Sequence, residues 1–296
     1  ENSKILYDRH PRLRVKKVAP WLTLDGDTYP AIVDGKVVWI VDGYTTSNTY
    51  PYSEARSLDE ATSDTLTENA SQIALPTDQV NYMRNSVKAV VDAYDGTVKL
   101  YEWDTEDPVL KTWTKVFPGV VEPKSKISES LLHHFRYPVD QFKVQRDVLS
   151  RYHVTDAQTF YEDGERWKVP EDPSNAGGTK QPPYYLSMSS PGQLESPRFS
   201  LTTVYLPNNR QNLASFMSVN SEASDTENYG KLQVLELPSD TRVGGPNQIA
   251  AQFESDAGVR AALLQYEQAK NTRILRGNLL TLPVGGAMLY VQTIKN

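Results

Sequence analysis

The chain contains no cysteine in its 296 residues. That absence excludes disulfide bonds, zinc–thiolate centres and thiol nucleophiles together. Histidine is almost as scarce, and the sequence has four: His10, His133, His134 and His153. The adjacent pair at 133 and 134 would point about 100° apart on a helix, so it cannot share a metal as an i, i+4 pair does. We therefore predict no metal site, no cofactor and no catalytic residue.

Long hydrophobic runs and clusters of basic residues are also lacking. The longest aliphatic or aromatic run, residues 37–41, is far shorter than the ~20 residues that cross a bilayer. Lys and Arg are scattered, and the formal net charge is −6. The basic stripe that binds phosphate backbones is missing, which argues against a nucleic-acid partner. The chain starts at Glu1 with no initiator Met or leader, which indicates a processed chain or part of a longer one.

The composition that is present is typical of a globular protein, with 39% hydrophobic and 23% charged residues. The length fits one large domain or two interleaved lobes. Asp-Gly pairs at 34–35 and 95–96 separate β-branched runs, and each predicts a tight hairpin. Residues 37–41 show no polar alternation, so we expect this strand to be central and covered on both faces. A third Asp-Gly pair at 163–164 precedes a short strand-like run at 165–169.

The middle of the chain has helical periodicity and predicts an insertion between strands. Helices are expected at 124–136 and 139–152, with Pro138 opening the second. A shorter helix at 155–160 is expected to start with Thr155 and Gln158 as a capping box.

The second half reads as another antiparallel group after the loop 172–183, DPSNAGGTKQPP. Strands are predicted at 184–189, 199–206, 213–219 and 230–237; a helical stretch at 246–270, broken near 256–258; and short strands at 273–276, 279–284 and 287–294. The predicted fold class is α+β: antiparallel β hairpins with a helical insertion and a C-terminal helix-plus-strands unit. Strand content should exceed helix content, and lobes 1–172 and 184–296 should share one core.

Residues 44–53, YTTSNTYPYS, form an uncharged run that follows Gly43, where we expect the strand to break. Tyrosine rings beside hydroxyl and amide groups suit sugars or polar lipid headgroups, because rings stack while polar groups bind hydroxyls. The candidate ligand-binding residues are Tyr44, Thr45, Ser47, Tyr50 and Tyr52. The alternative is a Tyr-rich loop that packs over a sheet end and satisfies its own backbone.

Two acidic segments, 25–27 and 104–107, are candidates for the paired carboxylates of glycoside chemistry. Both fall at predicted strand ends, where acids and Gly commonly form turns. The first also offers oxygen ligands for Ca²⁺ but lacks the remaining spacing of a calcium loop.

Several long segments resemble one known family: PWLTLDGDTYPAIVDGKVVWIVDGYTTS, NSVKAVVDAYDGTVKLYEWD, ISESLLHHFRYPVDQFKVQRDVLSRYHV and RGNLLTLPVGGAMLYVQ. They resemble the extracytoplasmic region of bacterial membrane proteins of uncharacterised protein family 0182. The resemblance implies a parent with several transmembrane helices, commonly seven, located in the cell membrane with this domain on the extracytoplasmic side. The family pattern ends closer to LYVEP, whereas this chain has Gln292, so no role is carried over for an acid there. The family has no established activity, and no catalytic residue is transferred.

Three functional hypotheses follow. The first is a binding or accessory module at the cell envelope, without enzymatic activity, whose partner is an envelope glycan, a lipid or a protein. The second is an envelope hydrolase that acts on glycans through paired carboxylates. The third is a regulatory domain of a transporter, which predicts an apolar or uncharged face near Glu1. The absence of a catalytic constellation favours the first.

Overall fold

The computed structural model describes residues 7–66, 79–175, 177–189, 197–238, 240–267 and 274–295. Helix accounts for 26% and strand for 37% of the chain, and the sheets are mainly antiparallel, so the α+β class and the excess of strand are confirmed. Among the described residues, no helix combines the length and the apolar composition needed to cross a membrane. Glu1 lies outside the described residues, and so does the face predicted beside it.

The chain divides into two compact units, and each is discontinuous in sequence. The described residues of the first unit fall within 7–62, 79–145 and 221–229, and those of the second within 63–66, 146–220 and 230–295. The lobes 1–172 and 184–296 stay a prediction. The loop proposed to divide them belongs to the second unit.

The first unit is built on a five-stranded sheet. Its elements, in chain order, are Pro11–Val18 (α1), Thr23–Val33 (β1), Lys36–Ser47 (β2), Arg56–Ser57 (β3), Leu58–Thr62 (α2), Gln79–Val80 (β4), Tyr82–Asp92 (β5), Val98–Glu102 (β6), Pro108–Val116 (α3), Val121–Glu122 (β7), Glu129–Leu132 (α4) and the beginning of Val139–Tyr152 (α5). The sheet order is β1-β2-β5-β6-β7, with β6 and β7 parallel and the other neighbours antiparallel. Asp34 and Gly35 have φ of 49° and 77°, which confirms the first predicted turn.

Apolar side chains cover both faces of this sheet. One face packs Val41 of β2 with Val15 of α1 and Leu110 of α3. The other packs Ile40 of β2 with Phe135, which follows α4. Strand β2 is therefore interior and covered on both sides, as predicted, although the covered stretch begins only after Val37, which is 49% exposed.

Of the two longer helices predicted for the insertion, one differs from the prediction and the other matches it. The continuous helix expected at 124–136 is wrong: a 3-10 turn at Lys124–Lys126 is followed by the short α4. The reason is Ser128, whose hydroxyl accepts the Leu131 N–H at 3.2 Å and starts a new helix. The helix α5 begins directly after Pro138, as expected.

The elements of the second unit begin within α5 and continue, in chain order, with Ala157–Glu162 (α6), Trp167–Lys168 (β8), Tyr184–Met188 (β9), Arg198–Pro207 (β10), Ser215–Asn220 (β11), Leu232–Glu236 (β12), Pro246–Ser255 (α7), Ala257–Glu267 (α8), Leu275–Val284 (β13) and Ala287–Lys295 (β14). The sheet order is β12-β11-β10-β8, and β9 also pairs with β10; every pair is antiparallel, as predicted.

Three features of the second unit differ from the prediction, each for a local reason. Helix α6 is capped by Asp156, which accepts the Thr159 N–H at 2.8 Å, so the capping box at Thr155 is wrong. Asp163, with φ of 54°, ends α6 and forms no hairpin turn. Three C-terminal strands were predicted and the structure has two, because residues 277–278 form an irregularity inside β13 instead of a turn. The helical stretch breaks at Asp256 as predicted, while its expected end at 268–270 and the strand start at 273 lie outside the described residues.

Candidate functional site

Strand β2 continues through Tyr44 to Ser47, so the strand break predicted at Gly43 is wrong. Gly43 instead marks a shift in register against β5. A Cβ on Gly43 would lie 3.0 Å from the Leu22 side chain and 3.4 Å from Val87. This glycine therefore serves close packing inside the sheet.

Tyr44 belongs to the interior of the first unit. Its side chain is buried, its hydroxyl donates to the Asp25 carboxylate, and the same oxygen accepts the Gln141 N–H at 3.2 Å. Burial, and then the nearby charge of Asp25, raises the pKa of the Tyr44 hydroxyl well above its usual value. The Tyr44 hydroxyl thus links β1 to the beginning of α5.

Thr45 is also buried, and it stabilises the start of α3 through a hydrogen bond. Its hydroxyl donates at 2.6 Å to Asp107, the N-cap of that helix, which also accepts the Val109 and Leu110 N–H groups at 3.0 Å each. Hydroxyls of Ser86 and Tyr82 complete the set of donors to this carboxylate, at 2.6 and 2.5 Å. Burial alone would raise the pKa of Asp107, but these hydrogen bonds hold it below its usual value.

The other three candidate residues lie at the surface, at the end of β2 and just after it. Ser47 is half-buried at the strand end, and its hydroxyl accepts the Thr49 N–H at 3.1 Å. Tyr50 is 54% exposed, and Tyr52 is fully exposed with a left-handed φ of 59°. We call Ser47, Tyr50 and Tyr52 the tyrosine surface.

Two residues that the sequence did not suggest hold this surface in place. The Tyr82 ring stacks on Tyr50, with centroids 5.7 Å apart and planes 24° from parallel. The Asn81 side chain accepts the Tyr50 N–H at 3.0 Å and donates to the carbonyls of Tyr50 and Ser53 at 2.8 and 3.2 Å. Because Tyr82 faces Ser47 through β-sheet pairing, no local sequence pattern could have identified it.

The acidic segment 25–27 lies inside β1, where the register shifts, and not at a strand end as predicted. Asp25 is 1% exposed and accepts the N–H groups of Asp27 and Asp140 at 2.7 and 2.9 Å. In return, the Asp140 carboxylate accepts the Gly26 N–H at 2.7 Å. Burial, followed by the charges of Asp140 and Asp42, raises the pKa of Asp25 well above its usual value. A glycan cannot reach a carboxyl buried in this way.

In the second segment, Asp104 accepts a backbone hydrogen bond and forms an ion pair with a neighbouring strand. Asp104 accepts the Glu106 N–H at 3.0 Å and pairs with Arg84 at 2.6 Å. Asp107 is fully buried under α3. Asp25, Asp104 and Asp107 therefore contribute to the fold, and a hydrolase acting through paired carboxylates stays a prediction.

Strands β2 and β5 of this sheet carry a buried ion pair that the sequence did not indicate. Lys88 Nζ is 2.5 Å from Asp42, and both side chains are at most 3% exposed. Lys88 also donates to the Arg136 carbonyl at 2.8 Å, and Asn85 donates to Asp42 at 3.0 Å. Burial raises the pKa of Asp42 and lowers that of Lys88, while each charge opposes the shift of the other.

Histidines have local roles in the parts of the chain that the structure describes. His10 caps α1 by accepting the Arg12 N–H at 3.3 Å, and burial, then the Arg12 charge, lowers its pKa. The His153 ring stacks on Trp167 with centroids 3.6 Å apart. Within the described residues, no group of three or more His, Asp or Glu side chains is placed to hold a metal ion.

Comparison with known proteins places these features in one family. Residues 1–266 match the Uncharacterised protein family (UPF0182). UPF0182 proteins from Streptomyces coelicolor and Thermobifida fusca are 53% and 55% identical to this chain, and the alignments cover 99% of it but 29% of each relative. A UPF0182 protein of Paenarthrobacter aurescens is 52% identical over 99% of the chain and 30% of its own length. The chain thus spans less than a third of these relatives, and no solved structure matches it. On this evidence the chain belongs to the uncharacterised protein family UPF0182.

Proposed function

We propose that this chain is the extracytoplasmic part of a multi-pass bacterial membrane protein and acts there as a binding module. The tyrosine surface would be its contact site, and an envelope glycan, a lipid headgroup or a protein would be its partner. Most of each matched relative lies outside the region that this chain covers, which leaves room for membrane-spanning helices in the parent.

The observation that carries the binding proposal is the exposure of two nearby tyrosine rings, of which the Tyr50 ring is held by its neighbours. Tyr50 is fixed by its stack on Tyr82 and by the two-way hydrogen bonds to Asn81. Tyr52 is held outward in a backbone conformation that a tyrosine rarely adopts. Holding rings in place before binding lowers the entropy cost of association. Aromatic rings beside hydroxyls match the apolar faces and hydroxyls of sugars.

The binding test uses Tyr52→Gly, which removes the ring without a folding cost. Glycine adopts a positive φ freely, so this variant should be as stable as the wild type or up to about 1 kcal/mol more stable. Isothermal titration with purified envelope polysaccharide should show at least tenfold weaker binding by Tyr52→Gly and by Tyr50→Ala.

The matched control is Tyr94→Ala, which removes another fully exposed tyrosine from the same unit. It should bind as the wild type does. Equal binding by all three variants, or no binding to envelope polysaccharide, anionic vesicles or co-purifying proteins by the wild type, would refute the binding proposal.

The location is tested separately in the full-length parent. Protease added outside osmotically stabilised spheroplasts should cleave this region, while a cytoplasmic marker protein stays intact. Protection of this region until the membrane is dissolved would contradict the extracytoplasmic placement and would leave the binding result standing.

A further inference from the structure

A groove of about 480 Å³ lies beside the hairpin turns of the first unit's sheet. Val38 of β2, Val90 of β5 and Tyr101 of β6 line it from neighbouring strands. Volumes of about 300–1,000 Å³ are usual for small-molecule sites. The groove therefore has the size of a ligand site, and it shares no lining residue with the tyrosine surface.

Three lysines, Lys36, Lys99 and Lys126, line this groove. Within the described ranges none of them forms a salt bridge, whereas the exposed Lys17 and Lys111 pair with Asp8 and Glu106. Three lysines at one groove favour a negatively charged occupant where the acids of the lining do not oppose them.

Three acids, Asp34, Asp92 and Asp95, line the same groove, and they lie in or beside the hairpin turns. Asp92 accepts the N–H groups of Tyr94 and Asp95 at 2.7 and 3.1 Å, and Asp95 accepts the Thr97 N–H at 2.8 Å. The hydrogen bonds from Thr97 and, less strongly, the charge of Lys36 lower the pKa of Asp95. Of the three lysines, Lys36 is therefore the one whose positive charge is compensated by the turn acids.

The other two lysines, Lys99 and Lys126, line the groove from different segments of the chain. Lys99 pairs with Val90 inside the β5–β6 ladder, and Lys126 ends the 3-10 turn that follows β7. Ser128, two residues on, also lines the groove; its oxygen accepts the Leu131 N–H, which leaves its hydroxyl proton for a ligand. Two ammonium groups and a hydroxyl donor form a set that suits the several oxygens of a phosphate.

We propose that Lys99 and Lys126 bind the phosphate group of a small ligand or of a lipid headgroup in this groove. Titration calorimetry of the 296-residue chain with inorganic pyrophosphate tests the soluble source. Co-sedimentation with phosphatidylglycerol vesicles, compared with phosphatidylcholine vesicles, tests the lipid source. Binding in either arm supports the proposal and identifies the source.

The variant Lys99→Gln/Lys126→Gln should weaken this binding at least tenfold, and raising NaCl from 50 to 200 mM should weaken binding to the wild type. The control Lys111→Gln/Lys115→Gln removes the same charge from exposed positions of α3 and should bind normally. Tyr52→Gly should also bind normally, which separates this site from the tyrosine surface. Binding in neither arm, equal loss in the control, or tighter binding of citrate than of pyrophosphate would overturn the proposal.

Discussion

Lys88 and Asp42 form an ion pair that is removed from water inside the first unit. Lys88 is also within 5.3 Å of the Trp103 ring centroid and 5.7 Å of that of Phe135. A buried ion pair of this kind gains little over a well-packed apolar pair, because both charges lose their hydration. Removal of one partner is far more costly, because the remaining charge stays buried and uncompensated.

At the residue scale, we predict that Lys88→Met destabilises the chain by about 3–5 kcal/mol. The double variant Asp42→Asn/Lys88→Met should recover part of that loss, since no buried carboxylate is left without a cation. Urea unfolding measures both, with Lys115→Met as the exposed control that should stay within about 0.5 kcal/mol of wild type. A double variant less stable than Lys88→Met would contradict this account.

At the element scale, the start of α3 depends on the Asp107 carboxylate, which accepts five hydrogen bonds. Two come from backbone N–H groups of the helix, and three come from hydroxyls of Thr45, Tyr82 and Ser86, which lie on β2 and β5. The same Tyr82 that donates to Asp107 stacks under Tyr50. The helix cap and the tyrosine surface are therefore parts of one connected network.

We predict that Asp107→Asn lowers the free energy of unfolding at pH 7 by about 1.5–3 kcal/mol, the usual worth of hydrogen bonds to a charged group. Because the folded pKa of Asp107 is depressed, its contribution is complete above the unfolded pKa near 3.9 and is lost as pH falls through the folded pKa. The difference between variant and wild type should therefore shrink between pH 5 and pH 2. Urea unfolding across this range measures it.

The control for this pH dependence is Asp34→Asn, in an exposed turn where asparagine tolerates the positive φ equally well. It should leave stability unchanged at both ends of the range. A loss for Asp107→Asn that is as large at pH 2 as at pH 7 would show that the carboxylate charge is not what stabilises the cap.

At the scale of the whole molecule, each unit takes its core from distant parts of the chain. Residues 221–229 leave the second unit's run of strands and supply Ala223 and Tyr229 to the core of the first. The Tyr229 ring packs edge-on against Trp103 at 5.4 Å, and its hydroxyl donates to the Arg136 carbonyl at 3.1 Å. In the second unit, β8 lies within the predicted lobe 1–172 and pairs with β10, which lies within the predicted lobe 184–296.

We predict that the fragment 1–172 does not unfold cooperatively, because it lacks the 221–229 segment of one core and the partner strands of β8. Near-ultraviolet circular dichroism and calorimetry would compare it with the full chain. A cooperative transition in the fragment, with the near-ultraviolet signal of ordered tryptophans, would instead support the lobes 1–172 and 184–296 as separate folding units.

The sequence determined the elements whose signals are local. The turn at Asp34-Gly35, the start of α5 after Pro138 and the four antiparallel strands of the second unit follow from φ preferences, proline geometry and alternation. The long family-like segments identified the family. These signals act over a few residues, or as exact strings, and need no knowledge of the fold.

Tertiary structure alone decided which of the five candidate residues could meet a ligand. Tyr44 and Thr45 face carboxylates from β1 and α3, 19 and 62 residues away, and are buried by them. Tyr50 and Tyr52 remain outside, and Tyr50 is fixed by Tyr82 and Asn81. A run of hydroxyls and rings has the same local chemistry in a strand or in a loop, so its burial depends on partners that only the folded chain brings together.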